Sequence, residues 1–491
     1  MLESEWLPAW LPGRRWFQAK SRGVTRVELT DGAVLPLESG ASVLWLVGDV
    51  WSGSEFVGRY QLPMRLSVES LPETEESAIV GRTEIAERHV QIDDALAIPE
   101  VSRTIVRLIG EASGFDSERG RYCGEPTAAF EELSSGRLDP IRLSRAEQSH
   151  SNVILGDRLL LKVFRGLSTG VNPDVELTRA LTERTTFRNM PALAGSLGYA
   201  WVGDGNERFT HAAMLQQFVP SRGQGWEWML TRLAELYDAC LSGDSARRAA
   251  AERVTLDDVA ILARRTAEMH RALASIGDDA DFAPAPFELR DWRGVTEEIR
   301  RQAEVTSRSA AASGVPGARE VIERVDDWLA RQDRTVDPAR LGDKHRIHGD
   351  FHLGQTLRAE DDYYFLDFEG EPSKSIEDRR RKQTPLRDVA GMLRSFDYAA
   401  FAALDSARSR HSGADEELAR VAREWSGRSR SLFVQAYAPR ATGEPVLSAD
   451  RVALLDRLLM EKALYELDYE LNNRPTWASI PLRGLRDLLG D

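Results

Sequence analysis

Apolar positions alternate with polar ones in short runs over the first quarter of the chain, then fall into three-to-four spacing over most of the second half. Runs such as Ser42-Val43-Leu44-Trp45-Leu46-Val47 and Arg59-Tyr60-Gln61-Leu62, set between turn residues, predict a mixed, strand-rich region over 1–135. Trp6, Trp10, Trp16 and Phe17, gathered around Pro8, Pro12 and Gly13, predict an aromatic plug for a small core. Beyond residue 140 the order becomes a strand at 141–144, a polar loop at 147–152, and two strands at 152–155 and 159–164 across a Gly156-Asp157 turn. Residues 173–185 open on Pro173, the favoured first-turn position of a helix. After the apolar stretch Met214–Val219, the spacing predicts helices at 226–243, 256–275, 288–311 and 317–332, and again at about 385–404, 414–438 and 449–472. A loop beginning at His348 and a strand at 363–366 interrupt this helical region.

A chain of 491 residues exceeds what one hydrophobic core fills, so two or three lobes are expected. The division is 1–135, a cap subdomain; 136–220, a small lobe built on the hairpin; and 221–491, a helical large lobe. The fold class is α+β. The net charge of −14 opposes binding to nucleic acid or an anionic membrane surface. Cys123 and Cys240 alone cannot build a disulfide framework or a cysteine-rich metal site. The start of the chain lacks the pattern of a signal peptide, and no apolar stretch is long enough to span a bilayer, so a cytoplasmic location is expected.

The chemistry concentrates in His348-Gly349-Asp350-Phe351-His352-Leu353-Gly354-Gln355, followed twelve residues later by Asp367-Phe368-Glu369. Asp350 is the candidate base for an attacking hydroxyl. Gln355 and Asp367 offer one neutral and one anionic oxygen, a set that suits Mg²⁺ completed by water and phosphate. His348 and His352 stand four apart, but Gly349 makes a shared helical face poor, so zinc is disfavoured. His348 reads as an orienting residue bonded to backbone; His352 reads as loop packing beside the acceptor and is carried as a substrate-side candidate.

Lys162 lies in the apolar strand Leu161-Lys162-Val163, and Glu176 follows on the next helix, able to orient it towards nucleotide phosphates. The loop at 148–153, with Ser149 as a candidate contact, would cover those phosphates. Gln217 and Val219 sit where a hinge would meet adenine through its backbone. Strand, loop, hairpin and helix, followed by a helical lobe with this loop, is the order of a bilobal protein-kinase-like fold. Further on, Lys462, Tyr465, Tyr469 and Asn472 share one helical face, with Arg474 and Trp477 just beyond. Aromatic rings beside charged and amide groups suit a sugar, and two tyrosines packed at a lobe surface are an equally good reading of the same residues.

The runs HGDFHLGQTLR, YYFLDFEGEP, PLRDVAGMLRSFDYAA and EKALYELDYELNNRPTW, with RLSRAEQSHSNVILGDRLLLKVFRGLSTGVNPDVEL and QQFVPSRGQGWEW upstream, resemble the bacterial maltokinases. RRWFQAKSR near the start is similar to the opening of that family's N-terminal cap. The resemblance implies a fold related to aminoglycoside phosphotransferases and ATP-dependent phosphorylation of maltose to maltose 1-phosphate, feeding α-glucan synthesis. It implies Asp350 as catalytic base, Gln355 and Asp367 on Mg²⁺, and Lys162 on ATP phosphates with Glu176 orienting it. Lys462, Tyr465, Tyr469 and Arg474 would contact the disaccharide, and trehalose synthase becomes a possible partner. Two alternatives stay open: a kinase of glucosamine or an aminoglycoside, and a catalytically weak scaffold for a trehalose synthase complex.

Overall fold

A computed structural model describes residues 1–17, 19–68, 75–144, 150–203, 205–332, 336–411, 415–438 and 447–490. The chain forms two compact units: residues 1–184 with 191–220 and 375–378, and residues 185–190 with 221–374 and 379–491.

The first unit holds two antiparallel sheets. The five-stranded sheet runs in the order Arg26–Pro36, Ser42–Ser52, Glu55–Val68, Arg88–Asp94, Ile79–Ile85. Trp10, Trp16 and Phe17 pack with Leu7, Tyr60 and Leu62 on this sheet, and Trp6 joins them partly buried, forming the expected aromatic plug. The seven-stranded sheet runs Gly114–Asp116, Gly120–Pro126, Leu193–Gly203, Asn206–Gln217, Leu159–Val163, Ser151–Leu155, Ile141–Leu143.

That second sheet moves the expected boundary at 135. Strand Gly120–Pro126 pairs with Leu193–Gly203, so residues before 135 complete the sheet that carries Lys162. The change between sheets falls at the helix Pro99–Gly110, whose Ile105 and Ile109 lie in a core shared with Trp45, Leu161 and Leu215. A fully buried glutamine ties the sheets together. The Gln61 Oε1 accepts from Trp45 Nε1 at 2.9 Å, and its Nε2 donates to the carbonyls of Phe164 and Ala212 at 2.6 Å. Each of its amide groups is satisfied, as burial in an apolar core requires. In the hairpin, Gly156 and Asp157 both take left-handed φ, +56° and +52°, within the three-residue connection between Leu155 and Leu159.

The second unit is helical around Leu386–Arg410, a helix buried on most sides among Gly225–Leu241, Asp415–Tyr437, Ala449–Asn473 and Ser479–Leu489. The expected helix at 317–332 is two, Ala318–Glu323 and Val325–Arg331, meeting at Arg324. The helix Ser479–Leu489 was not expected from the spacing. Pro481 stands in its first turn, where no intrahelical N–H is needed, and reads as a breaker in sequence alone. The hairpin Thr356–Ala359 with Asp362–Phe365 stands among these helices and positions the polar loop on either side of it. No helix among the described residues is long and apolar enough to cross a membrane.

Candidate active site

In the first unit, Lys162 pairs with Asn152 and Met214 across the sheet, and its side chain is buried. Its Nζ lies 2.8 Å from Asp174 Oδ2 and 5.6 Å from the centroid of the Phe164 ring. An ammonium taken out of water needs such a partner. The carboxylate in this ion pair is Asp174, two residues before the expected Glu176. Asp174 occupies the first turn of the helix Pro173–Arg184, and Asn172 Oδ1 accepts from its backbone N–H at 2.8 Å. Glu176, half-buried on the same helix, adds its negative charge to the surroundings of His211. Burial, and next the Arg179 charge, push that imidazole down to about 4.

At the expected hinge, the Gln217 backbone N–H donates to Ala192 O at 2.8 Å, and Phe218 N–H donates to Arg158 O at 2.7 Å. Val219 is buried. Ser149 lies outside the described residues.

In the second unit, the loop that opens at His348 is held by one buried carboxylate. Asp388, on the central helix, accepts from the backbone N–H of His348 and of Gly349, each at 2.9 Å. His270 Nε2 lies 2.9 Å from the same group, and His270 Nδ1 lies 2.9 Å from the Tyr437 hydroxyl. Burial alone would raise the pKa of Asp388; the His270 contact, the nearby histidine charges and the Gly349 N–H outweigh it, so the carboxyl sits below its ordinary range. Gly349 takes φ +84°, and a Cβ there would stand 3.3 Å from Gly370 Cα. His348 Nε2 lies 2.8 Å from Leu366 O, so this histidine is bonded to backbone and links the loop to the end of the strand before Asp367.

Asp350 lies 3.4 Å from Lys462 Nζ and 3.9 Å from His352 Nε2. Burial opposes its ionisation, but Lys462, His352 and His348 together lower its pKa. Lys462 is raised in turn: burial works against its charge, and Asp350, Glu371 and Glu466 more than offset it. His352 is lowered, first by burial, and its Nδ1 accepts from Gly354 N–H at 3.0 Å, capping the short turn Leu353–Gln355. The result is an ionised carboxylate beside a permanent cation, the state a proton acceptor needs.

Gln355 Nε2 donates to Asp367 Oδ2 at 2.9 Å, so the two expected metal ligands are neighbours. Asp367 takes φ +63°, a left-handed conformation rare outside glycine and found where surrounding structure over-determines the backbone. An amide oxygen and a carboxylate, both hard donors, fit Mg²⁺.

A cavity of about 270 Å³ opens beside Asp350 and is lined by Lys462, Tyr465, Gln302, Glu371, Arg387 and Glu461, among others. Lys462 and Tyr465 therefore meet Asp350, the ammonium lying 5.0 Å from the Tyr465 ring centroid. Tyr469 and Arg474 are not among its lining residues. Tyr469 is exposed, and Arg474 stacks on it while pairing with Glu470 at 2.7 Å. Sequence reading gave no role to Asp174, Asp388, Arg387 or Glu461. The signal for Asp388 was a charged residue among apolar positions of PLRDVAGMLRSF; a carboxylate buried in a helix core requires donors.

Residues 10–97 match the maltokinase N-terminal cap domain family. The chain is 29% identical over 345 residues to a glucosamine kinase of Mycolicibacterium smegmatis, covering 70% of this chain and 78% of the relative. A glucosamine kinase of Streptacidiphilus jiangxiensis is 27% identical over 390 residues, covering 77% and 81%. A solved glucosamine kinase structure superposes with a TM-score of 0.63 at 22% identity, covering 100% of this chain and 99% of the other. One solved in complex with glucosamine, ADP and inorganic phosphate gives 0.61 at 22%, covering 99% of each. The α+β, kinase-like class expected from the sequence is the observed one. With the cap, these relatives support a sugar kinase.

Proposed function

We propose that this protein transfers a phosphoryl group from ATP to the anomeric hydroxyl of maltose, giving maltose 1-phosphate. Asp350, kept ionised by Lys462, accepts the hydroxyl proton and orients its oxygen. Lys162, fixed by Asp174, offers positive charge to the nucleotide phosphates. Gln355 and Asp367 would hold Mg²⁺, which when bound would neutralise charge on the phosphates. Tyr465 provides an aromatic face for a sugar ring. Transfer of this kind rests on positioning and electrostatics rather than covalent help from the protein.

The observation that carries the choice of a neutral sugar is the charge state of the cavity beside Asp350. Its carboxylates are already engaged: Glu461 with Arg387 at 2.6 Å, Glu371 with Lys374 at 2.8 Å, Glu298 with Arg301 at 2.5 Å, and Asp468 with the Ser309 hydroxyl at 2.6 Å. Lys462 stands beside Asp350 itself. A sugar ammonium would face Lys462 and would find Asp468 alone of these carboxylates without a cation beside it in the lining. A polyol with hydroxyls alone can bond to these paired groups.

The glucosamine kinase relatives favour a second reading, in which the same cavity takes an amino sugar. An assay with ATP and Mg²⁺ against maltose, glucosamine, glucose and an aminoglycoside, with the linkage of each product identified, decides between them. Maltose turned over at least tenfold more efficiently than glucosamine, phosphorylated at the anomeric position, is the expected result. A preference for glucosamine overturns it. No transfer to any sugar, together with stable binding of trehalose synthase, would favour the scaffold.

A further inference from the structure

Around Arg394, Asp397 and Phe401 in the middle of the central helix, the second unit gathers arginines beside two adjoining cavities of about 250 and 580 Å³. The smaller is lined by Arg394, Arg423, Arg430 and Arg483, the larger by Arg423, Arg483 and Arg486. Only Asp397 and Asp487 oppose them among the lining residues. Asp397 is already committed, bonded to Arg394 at 2.8 Å and to the Ser426 hydroxyl, with Arg430 at 3.7 Å. Arg394 is further engaged by Glu466 at 2.8 Å.

Arg423, Arg483 and Arg486 have no carboxylate within 4.0 Å among the described residues. Arg483 is the clearest case. Its guanidinium lies 3.9 Å from the Phe401 ring centroid, and its buried Nη1 has no hydrogen-bond partner. Burial, and then the charge of Arg423, make its cationic form less favourable than for an ordinary arginine, with Asp487 acting the other way. Cations crowded together with unfilled donors are the complement of an oxyanion.

Glycine contributes a second, independent observation. Gly427 lines the smaller cavity from inside the helix Asp415–Tyr437, where glycine is a poor helix former. A Cβ at that position would meet nothing within 4 Å, so packing does not demand glycine there. Gly427 is exposed, so a side chain placed there would project beside these arginines.

We propose that these cavities form a binding site for a phosphate group, carried as free phosphate or as a small phosphomonoester, separate from the cavity beside Asp350. The planar guanidinium forks of Arg423, Arg483 and Arg486 supply donors in the geometry that phosphate oxygens accept. Asp487 faces the same space and favours ligands small enough to keep clear of it. A protein that makes phosphate esters is thereby given a place to sense one.

The test uses the full chain and two variants, with binding read by calorimetry and by thermal melting in inorganic phosphate, glucose 1-phosphate and sodium chloride at matched ionic strength. Gly427→Glu replaces glycine with a better helix former and puts a carboxylate among the arginines. Arg423→Ala removes an exposed cation. Both are expected to fold, and the first to melt no lower than the parent. The parent should bind phosphate or the ester, with a melting point that climbs with the logarithm of ligand concentration. Each variant should bind at least about tenfold more weakly, Gly427→Glu by like-charge repulsion. Tighter binding of the ester than of phosphate would identify the monoester as the ligand; the reverse order would identify free phosphate. Absence of binding by the parent, or binding unchanged in both variants, overturns the proposal, because a phosphate bound at a nucleotide or sugar site would not respond to residue 427.

Discussion

Asp388 is the side chain whose loss should reach furthest, although it touches no substrate. Asp388→Asn keeps the shape and removes the charge. The carboxylate now serves three partners, the N–H groups of His348 and Gly349 and the His270 ring, all at 2.9 Å. His270 can adapt by changing tautomer, because the Tyr437 hydroxyl on its other nitrogen either donates or accepts. The two backbone groups cannot adapt. One meets the single amide oxygen, and the other meets an NH₂ group, leaving a buried donor unmatched at a cost of about 1–3 kcal/mol. Losing the charge from the remaining bonds adds a comparable amount, for a total of about 3–5 kcal/mol. That is a large part of the roughly 5–15 kcal/mol that holds a domain folded. At about 2–4 °C per kcal/mol for a unit of this size, the second unit should melt about 10 °C lower. Turnover measured well below that melting point should fall by about 10²-fold, the effect of moving Asp350 by about 1 Å. Calorimetric melting and a coupled ADP-release assay measure both. A variant that melts within about 1 °C of the parent and turns over normally would refute the claim that Asp388 positions the loop.

Asp350→Asn should retain nucleotide binding and lose turnover by about 10²–10⁴-fold, checked by calorimetry with ADP and by product formation. Asp174→Asn should destabilise the first unit by about 1–3 kcal/mol, since it removes the charge from the carboxylate 2.8 Å from the buried Lys162 ammonium; a denaturant melt measures it. Lys462→Met removes the leading influence that lowers the pKa of Asp350. In the parent that pKa lies below its ordinary value, so the base stays ionised down through the ordinary carboxylate range. In the variant the pKa rises, and the acid limb of the kcat profile should move to higher pH. An acid limb that stays in place would disconnect Lys462 from the base.

The local elements were legible in the chain because they follow from periodicity and turn chemistry. Alternation marked the strands around Lys162, Gly156-Asp157 marked their turn, and three-to-four spacing marked most helices to within a few residues. The catalytic loop was legible too, because Asp350, Gln355 and Asp367 are close in sequence and joined by one short hairpin. What the sequence could not determine was which residues distant along the chain meet. Asp174 reaches Lys162 because the helix that opens at Pro173, after Asn172, brings that carboxylate to the strand. Strands on both sides of residue 135 share one sheet because long-range pairing is chosen by the packing of Trp45, Ile105 and Leu161, which no local pattern encodes. Tyr465 turns to the cavity while Tyr469, one turn on, stays exposed, because the helix Ala449–Asn473 passes the cavity over only part of its length. The residue types were written in the chain; which of them were brought together was decided by helix direction and sheet pairing, properties of the folded whole.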